Sequence, residues 1–545
     1  MKRSLFKMAT NFLAAGILLS CQRPCSALDY VSCRPGIQGD LNTNASSPLV
    51  VTIDTTRRHQ TIHGFGASDA WATQFVGQWP DEQREAIADL LFETSLDASN
   101  NPRGIGLSAW RFNLGAGSSR QSNIRDAWRK ADTYLDESFT GYDWTRCPGQ
   151  RWFLQAAKTR GVERFVAFVN SPPINMTKNG RAYCNSGSGS TNLRTDKTED
   201  FATYLATILQ HFRDAEGIEF DAISPFNEPN WQWEGNSQEG CRYANADIAR
   251  VVKALYPQLQ SRQLATQIEV PEAGDIGYLY GYSNQRGDYI NAFFDPNSPY
   301  YIADKIAPLI AAHSYFTCWP EDDRLVGWRE KLRLNLDRYP SLGYAMTEYC
   351  ILISGGSWVP SQHRNYGGGR DLGIDPALWI ARVIHHDLAI AQAASWDWWL
   401  AVSPYNYKDG LVYIDKNRRG GNHYESKMLW AMGNFSRFIR PGMSRVTTRR
   451  SDGATADQTT TDLMVSAYHK HDDDVVVAVF VNWANDAKPV RLDSLGTGLH
   501  SLIPYVTSET ESLTAYRALD PGDTAAIPPR SVVTLVGLPA DLAAD

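Results

Sequence analysis

Two glutamates far apart in the sequence each follow a short apolar run, and they could act together as a catalytic pair. Glu228 belongs to Ile223-Ser-Pro-Phe-Asn-Glu-Pro229, where Pro229 prevents further strand pairing and directs the chain into a loop. Glu348 belongs to Tyr344-Ala-Met-Thr-Glu-Tyr-Cys350, where a buried charge would be costly unless it were paired. A chance tripeptide or cap for Glu228, and an ion-paired structural role for Glu348, are the alternatives.

The elements that would position this pair are short strands alternating with amphipathic helices. Helices are predicted at 81–92, 149–160 and 198–212, and eight strands are predicted at 62–67, 107–113, 164–170, 221–226, 267–272, 308–314, 343–348 and 394–399. Eight such units predict an α/β fold, a (β/α)8 TIM barrel, whose catalytic groups sit at the carboxyl ends of the strands. Glu228 and Glu348 would then end strands 4 and 7, where their carboxyl groups could flank one glycosidic bond.

Beyond residue 430 the helical period gives way to strand-like segments separated by turn residues. Segments 462–468, 475–482, 501–506 and 531–537 predict an appended β-sandwich, and the alternating segment Leu49–Asp54 could join it. The predicted organisation is a signal peptide at 1–27, a tether at 28–47, an N-terminal sandwich strand at 48–58, the catalytic barrel at 59–430 and the β-sandwich at 431–545.

The N-terminus has the pattern of an export signal. Basic residues precede an apolar stretch around Phe12–Leu19, which is too short to cross a bilayer. Two cleavage sites compete, because Leu18-Leu-Ser-Cys21 resembles a lipoprotein box and Cys25-Ser-Ala27 fits ordinary signal peptidase. The chain is therefore expected to be secreted, or anchored at the cell surface or outer membrane through a lipid on Cys21.

Composition narrows the partners of the chain. Its 545 residues carry a net charge of −7 with a pI of about 5.9, whereas a nucleic-acid binder usually has a basic footprint, so no nucleic-acid partner is expected. Aromatic residues are abundant, with 17 Trp and 25 Tyr, and exposed rings can hold sugars, although core packing explains most of them. No zinc spacing of cysteines and no phosphate-binding glycine loop occurs, so neither a metal nor a cofactor is predicted. The chain is expected to act as a monomer.

Five motifs along the chain have the residues and the order of a known family. They are Gly64-Phe-Gly-Ala-Ser-Asp-Ala-Trp71, Trp110-Arg-Phe-Asn-Leu-Gly-Ala-Gly117, Asn170-Ser-Pro-Pro173 with Met176-Thr, Asn227-Glu-Pro229 and Thr347-Glu-Tyr349. Together they resemble glycoside hydrolase family 30 over roughly residues 48–540. Asn230-Trp-Gln-Trp233 with Gln238-Glu-Gly-Cys241 further resembles the branch that contains endo-β-1,6-galactanases.

The resemblance implies a retaining O-glycosyl hydrolase with Glu348 as the nucleophile and Glu228 as the acid/base. A retaining pair needs carboxyl groups about 5–5.5 Å apart, so that one can attack carbon directly. Glu228 must hold a proton near neutral pH, which a less polar pocket and a neighbouring anion both favour. Esterification of Glu348 then removes its charge, so that Glu228 can ionise and activate water.

Ten further side chains are candidates for substrate binding. In this clan the residue before the acid hydrogen-bonds the sugar 2-hydroxyl, which would be the role of Asn227. Arg111 and Tyr315 could donate to Glu348, and a donor there would keep the pKa of that carboxyl low; a structural salt bridge is the alternative for Arg111. The full set is Asn227, Arg111, His313, Tyr315, Trp396, Asp69, Trp71, Asn170, Trp231 and Glu272.

The remaining roles are less defined by the motifs. His313 could bind sugar or be a satisfied core histidine, and Trp396 could form a stacking floor. Asp69 and Trp71 follow strand 1 and could line the pocket of the cleaved sugar. Glu272 ends strand 5, where it could bind a hydroxyl, and it is also a rival for the catalytic role.

The leading prediction is an exported retaining hydrolase that acts on an oligo- or polysaccharide, most simply an endo-β-1,6-galactanase. A β-1,6-glucanase, a xylanase, a β-glucosidase or a β-fucosidase of the same family are alternatives, because aromatic and charged loop residues decide among them. A non-catalytic carbohydrate-binding protein and a metal-dependent hydrolase are alternatives of other classes. The presence of both carboxylates argues against the first of these two.

Overall fold

The computed structural model describes residues 39–282, 285–352, 366–540 and 542. The predicted signal peptide, with Cys21, and the first part of the tether lie outside these residues.

The helices are α1 Thr73–Val76, α2 Asp81–Phe92, α3 Pro148–Thr159, α4 Thr198–His211, α5 Asn245–Ser261, α6 Gly277–Tyr280, α7 Tyr289–Phe294, α8 Gly327–Leu336, α9 Ile374–Ala389, α10 Lys427–Ser436 and α11 Ala456–Thr459. The strands are β1 Leu49–Thr61, β2 Gly64–Ser68, β3 Ala109–Asn113, β4 Arg164–Phe168, β5 Ala222–Ser224, β6 Gln267–Ile268, β7 Pro271–Ala273, β8 Leu309–His313, β9 Gly343–Tyr349, β10 Ala393–Trp398, β11 Leu400–Ser403, β12 Gly410–Ile414, β13 His423–Glu425, β14 Ser444–Arg450, β15 Leu463–Lys470, β16 Val475–Asn482, β17 Lys488–Leu495, β18 Ser501–Thr507, β19 Thr514–Ala515, β20 Thr524–Ile527 and β21 Ser531–Leu538.

Strands β2 to β10 form the parallel barrel, which confirms the predicted fold class. Its fifth strand is split into β6, which pairs with β5, and β7, which pairs with β8. Pro271 lacks the N–H that a continuous ladder would use. Two backbone bonds of 2.9 Å bridge the gap, from Glu269 N to the Ile223 carbonyl and from Ala311 N to the Val270 carbonyl. The barrel therefore closes through an interrupted strand.

The fourth and seventh barrel strands end differently. β5 stops at Ser224, immediately before Pro225, so Glu228 lies in the loop beyond the strand. β9 continues past Glu348, which is the register partner of His313 on β8. The two glutamates thus reach the carboxyl end of the barrel from a loop and from a strand.

A small three-stranded sheet follows the barrel's last strand. It consists of β11, β12 and β13, in that order. The loop between β11 and β12 carries Tyr405 and Asp409, which lie at the cavity at the mouth of the barrel. This insertion therefore contributes side chains to the site from outside the barrel proper.

The C-terminal strands form a mostly antiparallel, nine-stranded sheet in the order β19-β18-β21-β16-β15-β14-β1-β17-β20. The N-terminal strand β1 lies within this sheet, as predicted, and the structure shows it antiparallel to β14 and parallel to β17. Strands from both halves of the sheet contribute to one apolar cluster, which includes Val51, Phe480, Val506 and Ile527. The sheet therefore folds over a core of its own.

Helix α10 connects the barrel to this second layer. The Asn434 side-chain amide donates to the Tyr505 carbonyl (3.1 Å) and to Thr534 Oγ1 (3.0 Å), while Ser436 Oγ donates to the Ile105 carbonyl (2.6 Å). The predicted boundary between residues 430 and 431 falls inside this helix.

The helices in the part of the chain that the structure describes are all too short or too polar to cross a bilayer.

Candidate active site

The carboxyl ends of the barrel strands surround an open cavity of about 520 Å³ that contains both predicted catalytic glutamates. Glu228 is 8% exposed and Glu348 is 4% exposed, so each carboxyl group is largely desolvated but reaches the cavity. One oxygen of each carboxylate and one ring nitrogen of His313 lie within 4.8 Å of one another. A sugar ring placed between the two glutamates could be reached by both.

The backbone around Glu228 holds its side chain in the mouth of the barrel. Glu228 has a φ of 44°, a left-handed conformation that costs a residue with a side chain about 1–3 kcal/mol. Its N–H donates to the Glu272 carbonyl at 2.8 Å, and its own carbonyl accepts from the Trp233 indole at 2.9 Å and from Trp231 N at 3.1 Å. These three bonds offset the strain and fix the loop that carries the carboxyl group.

Glu348 is held by a cation and a hydroxyl. Arg111 donates to Oε2 at 3.2 Å and the Tyr315 hydroxyl donates to Oε1 at 3.0 Å. Burial raises the pKa of Glu348, His313 and Arg111 lower it, and the nearby Glu228 and Glu272 carboxylates raise it again, with a net increase. Arg111 therefore contacts Glu348 as expected but does not keep its pKa low, because desolvation and two other carboxylates outweigh it.

Glu272 lies beneath the pair and is sealed from solvent. Its carboxylate accepts hydrogen bonds from Ser224, Thr347 and His313, and Arg111 is 3.5 Å away. Burial opposes its ionisation, but Arg111 and these donors prevail and lower its pKa to about 2. Glu272 is therefore a buried counter-ion, which corrects its prediction as a hydroxyl-binding residue and removes it as a rival catalytic carboxylate.

His313 bridges the carboxylates and is also sealed from solvent. Its Nδ1 is 3.1 Å from Glu228 Oε1 and 3.6 Å from Glu348 Oε1, and its Nε2 is 3.1 Å from Glu272 Oε2. Burial alone would lower its pKa, but the carboxylates raise it to about 10. His313 is thus a buried imidazolium that positions the glutamates, which corrects its prediction as a sugar ligand.

The positive and negative charges of the buried cluster formed by Arg111, His313, Glu228, Glu272 and Glu348 are unequal in number. Arg111 and His313 supply two positive charges to three carboxyl groups. Two positive charges do not balance three ionised carboxyl groups, and the pKa of Glu348 is raised above its ordinary value. One ligand atom from each of Glu228, His313 and Glu348 lies close enough to surround a metal ion, but an ion there would have to displace the proton that His313 shares with the carboxylates.

We expect the stabilisation that His313 provides to depend on pH. Its pKa is about 10 in the folded chain and 6.5 ordinarily, so its contribution is complete below pH 6.5 and is lost as the pH rises through about 10. His313→Gln should lower the free energy of unfolding by about 3–5 kcal/mol at pH 6 and by much less at pH 10. Urea unfolding of both proteins at several pH values measures this difference.

His385→Gln is the matched control for that series. His385 is also buried, but burial lowers its pKa to about 3, so it is neutral over the whole range. The difference between this variant and the wild type should stay constant from pH 8 to pH 10, because the imidazole is then neutral in the unfolded chain as well. A constant difference for His313→Gln as well would contradict the buried imidazolium.

Aromatic side chains form one wall of the cavity. Trp71 makes edge-to-face contacts with Trp399 (ring centroids 5.3 Å apart) and with Tyr405 (6.0 Å). The Arg129 guanidinium stacks over the Trp71 ring at 4.7 Å. These rings and the adjacent cation offer both an apolar face and hydrogen-bond donors to a sugar.

The predicted stacking floor, Trp396, lies outside the cavity. It is fully buried, and its indole N–H donates to Asp387 Oδ2 of helix α9 at 3.0 Å. Side chains alternate along a strand, so Trp396 and Trp398 face the helices while Asp397 faces the barrel interior. Trp399 shares the parity of Asp397 and, at the end of the strand, reaches the cavity. Trp396 is therefore corrected to a core residue.

Asn227 and Asn170, the two asparagines predicted to bind substrate, each have a buried amide oxygen without a hydrogen-bond partner among the described residues. They differ in where they lie. Asn227 lines the cavity beside Glu228, so a ligand could use its free oxygen. Asn170 is buried outside the cavity lining. Only Asn227 is thus placed to contact a sugar in the described cavity.

Asp69 is a structural residue. It is fully buried, accepts from the Asn113 backbone at 2.8 Å and from the Gln150 amide at 3.0 Å, and so joins the ends of the first two barrel strands to helix α3. Burial raises its pKa to about 7. This corrects its prediction as a residue that lines the pocket.

Several cavity residues were missed in the sequence because they stand in long loops. They are Arg129, Trp233, Ser237, Gln238, Tyr405, Asn406, Tyr407 and Asp409. Trp233 and Gln238 belong to the galactanase-like motif, which was a signal that could have identified them. Trp231, from the same motif, lines a neighbouring cavity instead.

Known proteins resemble this chain over most of its length. The model of O-glycosyl hydrolase family 30 matches residues 48–413. An endo-β-1,6-galactanase of Hypocrea rufa is 32% identical over 242 residues, 41% of this chain and 49% of that protein, so the match spans about half of the relative's length. A crystal structure of a conserved exported protein from Bacteroides fragilis is 33% identical with a TM-score of 0.81, covering 89% of this chain and 100% of that one. The catalytic domain of a GH30 xylanase C from Talaromyces cellulolyticus shares the fold, with 22% identity, a TM-score of 0.62 and coverage of 90% and 100%.

Proposed function

Because the chain belongs to O-glycosyl hydrolase family 30, we propose that it cleaves β-linked polysaccharide side chains with retention of configuration. The observation that carries this proposal is the pair of carboxylates, whose oxygens approach within 4.8 Å at an open cavity. So close an approach of the nearest oxygens favours a retaining pair, whose carboxyl groups lie about 5–5.5 Å apart, over an inverting pair, whose carboxyl groups lie about 6.5–9.5 Å apart to fit a water molecule.

In the first half-reaction, a carboxylate oxygen of Glu348 attacks the anomeric carbon. The bond from that carbon to the leaving oxygen breaks, and Glu228 gives its proton to this oxygen. The products are a glycosyl ester of Glu348 and a free hydroxyl on the leaving sugar. Tyr315 and Arg111, which contact the two oxygens of Glu348, orient it for this attack.

In the second half-reaction, the loss of negative charge on Glu348 lowers the cost of ionising Glu228. Glu228 takes a proton from water as the water oxygen attacks the anomeric carbon, and the ester bond to Glu348 breaks. Both glutamates return to their starting states. In this scheme the amide oxygen of Asn227, which has no hydrogen-bond partner among the described residues, accepts a hydrogen bond from the sugar 2-hydroxyl in both steps.

For the substrate, we propose β-1,6-linked galactan cleaved internally. The support is the 32% identity to an endo-β-1,6-galactanase, together with Trp233 and Gln238 of the shared motif at the cavity. β-1,6-Glucan and xylan are the runner-up substrates, followed by β-glucosides and β-fucosides. A non-catalytic sugar-binding role is disfavoured, because both carboxylates reach an open cavity.

The experiment that tests this substrate is product analysis on a panel of β-1,6-galactan, β-1,3-galactan, β-1,6-glucan and xylan. We expect a ladder of galacto-oligosaccharides from β-1,6-galactan alone. Single galactose units without a ladder would contradict internal cleavage, and products from another glycan alone would replace the proposed substrate.

The stereochemistry of the product tests the mechanism separately. Two successive displacements at one carbon restore its configuration, so the sugar released first should carry a β-hydroxyl at its new reducing end. Proton NMR during the first minutes of hydrolysis distinguishes the anomers before they equilibrate. An α-anomer at early times would exclude the double displacement.

We also propose that the chain is exported, either secreted or held by a lipid on Cys21. The proposal is supported by the signal-like N-terminus and by the similarity to an exported protein of Bacteroides fragilis. The mass of the mature N-terminal peptide distinguishes the two, because a lipidated Cys21 would begin the chain and carry acyl groups.

A further inference from the structure

A second cavity, of about 570 Å³, lies beside the catalytic one. We propose that it is the leaving-group subsite, which binds the sugar units on the far side of the bond that is cleaved. Its walls are Trp231, Tyr278, Phe316 and Trp328, with Asp275 and Arg324 as polar groups. This inference rests on the proposed function and extends it to the part of the substrate that leaves first.

The position of the cavity relative to the acid supports this assignment. Trp231 follows Glu228 in the same loop, and its N–H donates to the Glu228 carbonyl at 3.1 Å. Phe316 follows Tyr315, the donor to Glu348, with ring centroids 6.1 Å apart. A general acid must touch the glycosidic oxygen, so the sugar beyond that oxygen lies on the side of the acid's own loop.

The opposite side of the catalytic pair is occupied by different elements. Trp71 follows the first barrel strand and Trp399 follows the last, and both line the catalytic cavity. The second cavity is instead built on the loops after the fourth, fifth and sixth strands. The substrate chain can therefore run from the Trp71 side, past the two glutamates, into the second cavity.

Two glycines make room for the indole walls. A Cβ on Gly274 would lie 2.1 Å from Trp231 Nε1, and a Cβ on Gly277 would lie 2.8 Å from the Trp328 ring. Trp231 also meets Tyr278 and Phe316 edge to face, at interplanar angles of 78° and 85°. The indoles are thus held by close packing rather than left free at the surface.

The chemistry of the walls fits a hexose with an axial hydroxyl. In β-galactose the axial 4-hydroxyl leaves the C–H bonds at C3, C4 and C5 together on one face, which can pack on an indole. Asp275 is a buried carboxylate whose Oδ1 already accepts from Gly277 N at 2.9 Å, and its other oxygen can accept from a sugar hydroxyl. Arg324 stacks over Trp328 at 5.5 Å and adds donors at the rim.

The test compares substrates that do and do not reach this cavity. For Trp328→Ala and Tyr282→Ala, we expect kcat/KM on long β-1,6-galacto-oligosaccharides to fall about 10-fold, which corresponds to about 1.4 kcal/mol of lost binding to the leaving chain. On a 4-nitrophenyl galactobioside, whose leaving group is too small to fill the cavity, the value should change less than about 2-fold. Tyr282 also lines the second cavity and is 55% exposed, so its variant should fold normally.

Tyr339→Ala is the matched control. Tyr339 is a half-buried tyrosine that follows helix α8, and its neighbours in the chain line a separate cavity at the other end of the barrel. It should leave both values unchanged. Equal losses on both substrates, or no loss on the oligosaccharides, would overturn the leaving-group assignment.

Failure of the substrate proposal gives a different result. If the wild type cleaves another glycan of the panel, β-1,6-galactan is the wrong substrate, and the same comparison is made on oligosaccharides of the glycan that it cleaves. The subsite stands if the variants then lose activity only on the long substrates, and it falls if they do not. A wild type that cleaves none of the four glycans overturns both proposals.

Discussion

Replacing Glu348 by alanine should reduce turnover on the order of 10⁴–10⁶-fold while the chain still folds. The variant removes the oxygen that attacks the anomeric carbon, so no glycosyl ester can form. It also leaves room for a small anion, and azide should restore part of the activity and yield an α-glycosyl azide, since only one displacement then occurs. Initial rates with and without azide, and NMR of the azide product, measure both effects.

Glu269→Gln is the matched control for this variant. Glu269 is another buried barrel glutamate, paired with Arg164 at the other end of the barrel. Its replacement should lower stability but keep turnover within about 10-fold of the wild type, because it does not touch the substrate. Wild-type rates in Glu348→Ala would refute its role as nucleophile, and equal losses in the two variants would show that the loss comes from the fold.

The sequence predicted the barrel and the convergence of Glu228 and Glu348 at its mouth because local patterns determine both. Short apolar segments ending in turn residues predict strands, and Pro229 predicts the loop after the fourth one, although the predicted strand 221–226 runs past Pro225, where the observed strand has already ended. In a parallel barrel, all strand ends meet at one rim, so Glu228 and Glu348 were predicted to converge although they are far apart in the chain. No knowledge of long loops was needed for this prediction.

The roles of the other site residues could not be read in the same way. The sequence shows that Glu272 and His313 end strands, but not that other side chains cover them and close the path to solvent. Within the predicted strand 394–399, the parity of Asp397 on the inner face selects Trp399 rather than Trp396 as the residue that reaches the cavity.

The positions of loop side chains are harder still to predict from the sequence, since tertiary contacts decide the path of each loop. Arg129 reaches Trp71 from a stretch without regular structure, and Tyr405 comes from the insertion after the last barrel strand. Neither residue follows a strand of the barrel directly, so no periodicity marks it. These are the positions at which members of one fold differ in specificity.

Replacing Glu228 by alanine should have an effect that depends on the leaving group. For a polysaccharide, whose leaving hydroxyl needs a proton, we expect a loss of about 10²–10⁴-fold in kcat/KM. For a 2,4-dinitrophenyl glycoside, whose leaving group departs as a stable anion, kcat/KM should change little. The glycosyl ester of Glu348 should then accumulate, because the base that activates water is missing, so kcat and KM should fall together.

Azide separates this role from that of Glu348. In Glu228→Ala the ester still forms, and azide attacks it in a second displacement, so the product should be a β-glycosyl azide rather than the α-anomer expected from Glu348→Ala. The two opposite anomers from two variants of one cavity would assign the acid/base and the nucleophile independently of any loss of rate. Equal losses on good and poor leaving groups, or the same anomer from both variants, would contradict the assignment. The anomers are needed because the two carboxyl groups lie close enough to share a proton, and a shared proton does not by itself determine which group attacks.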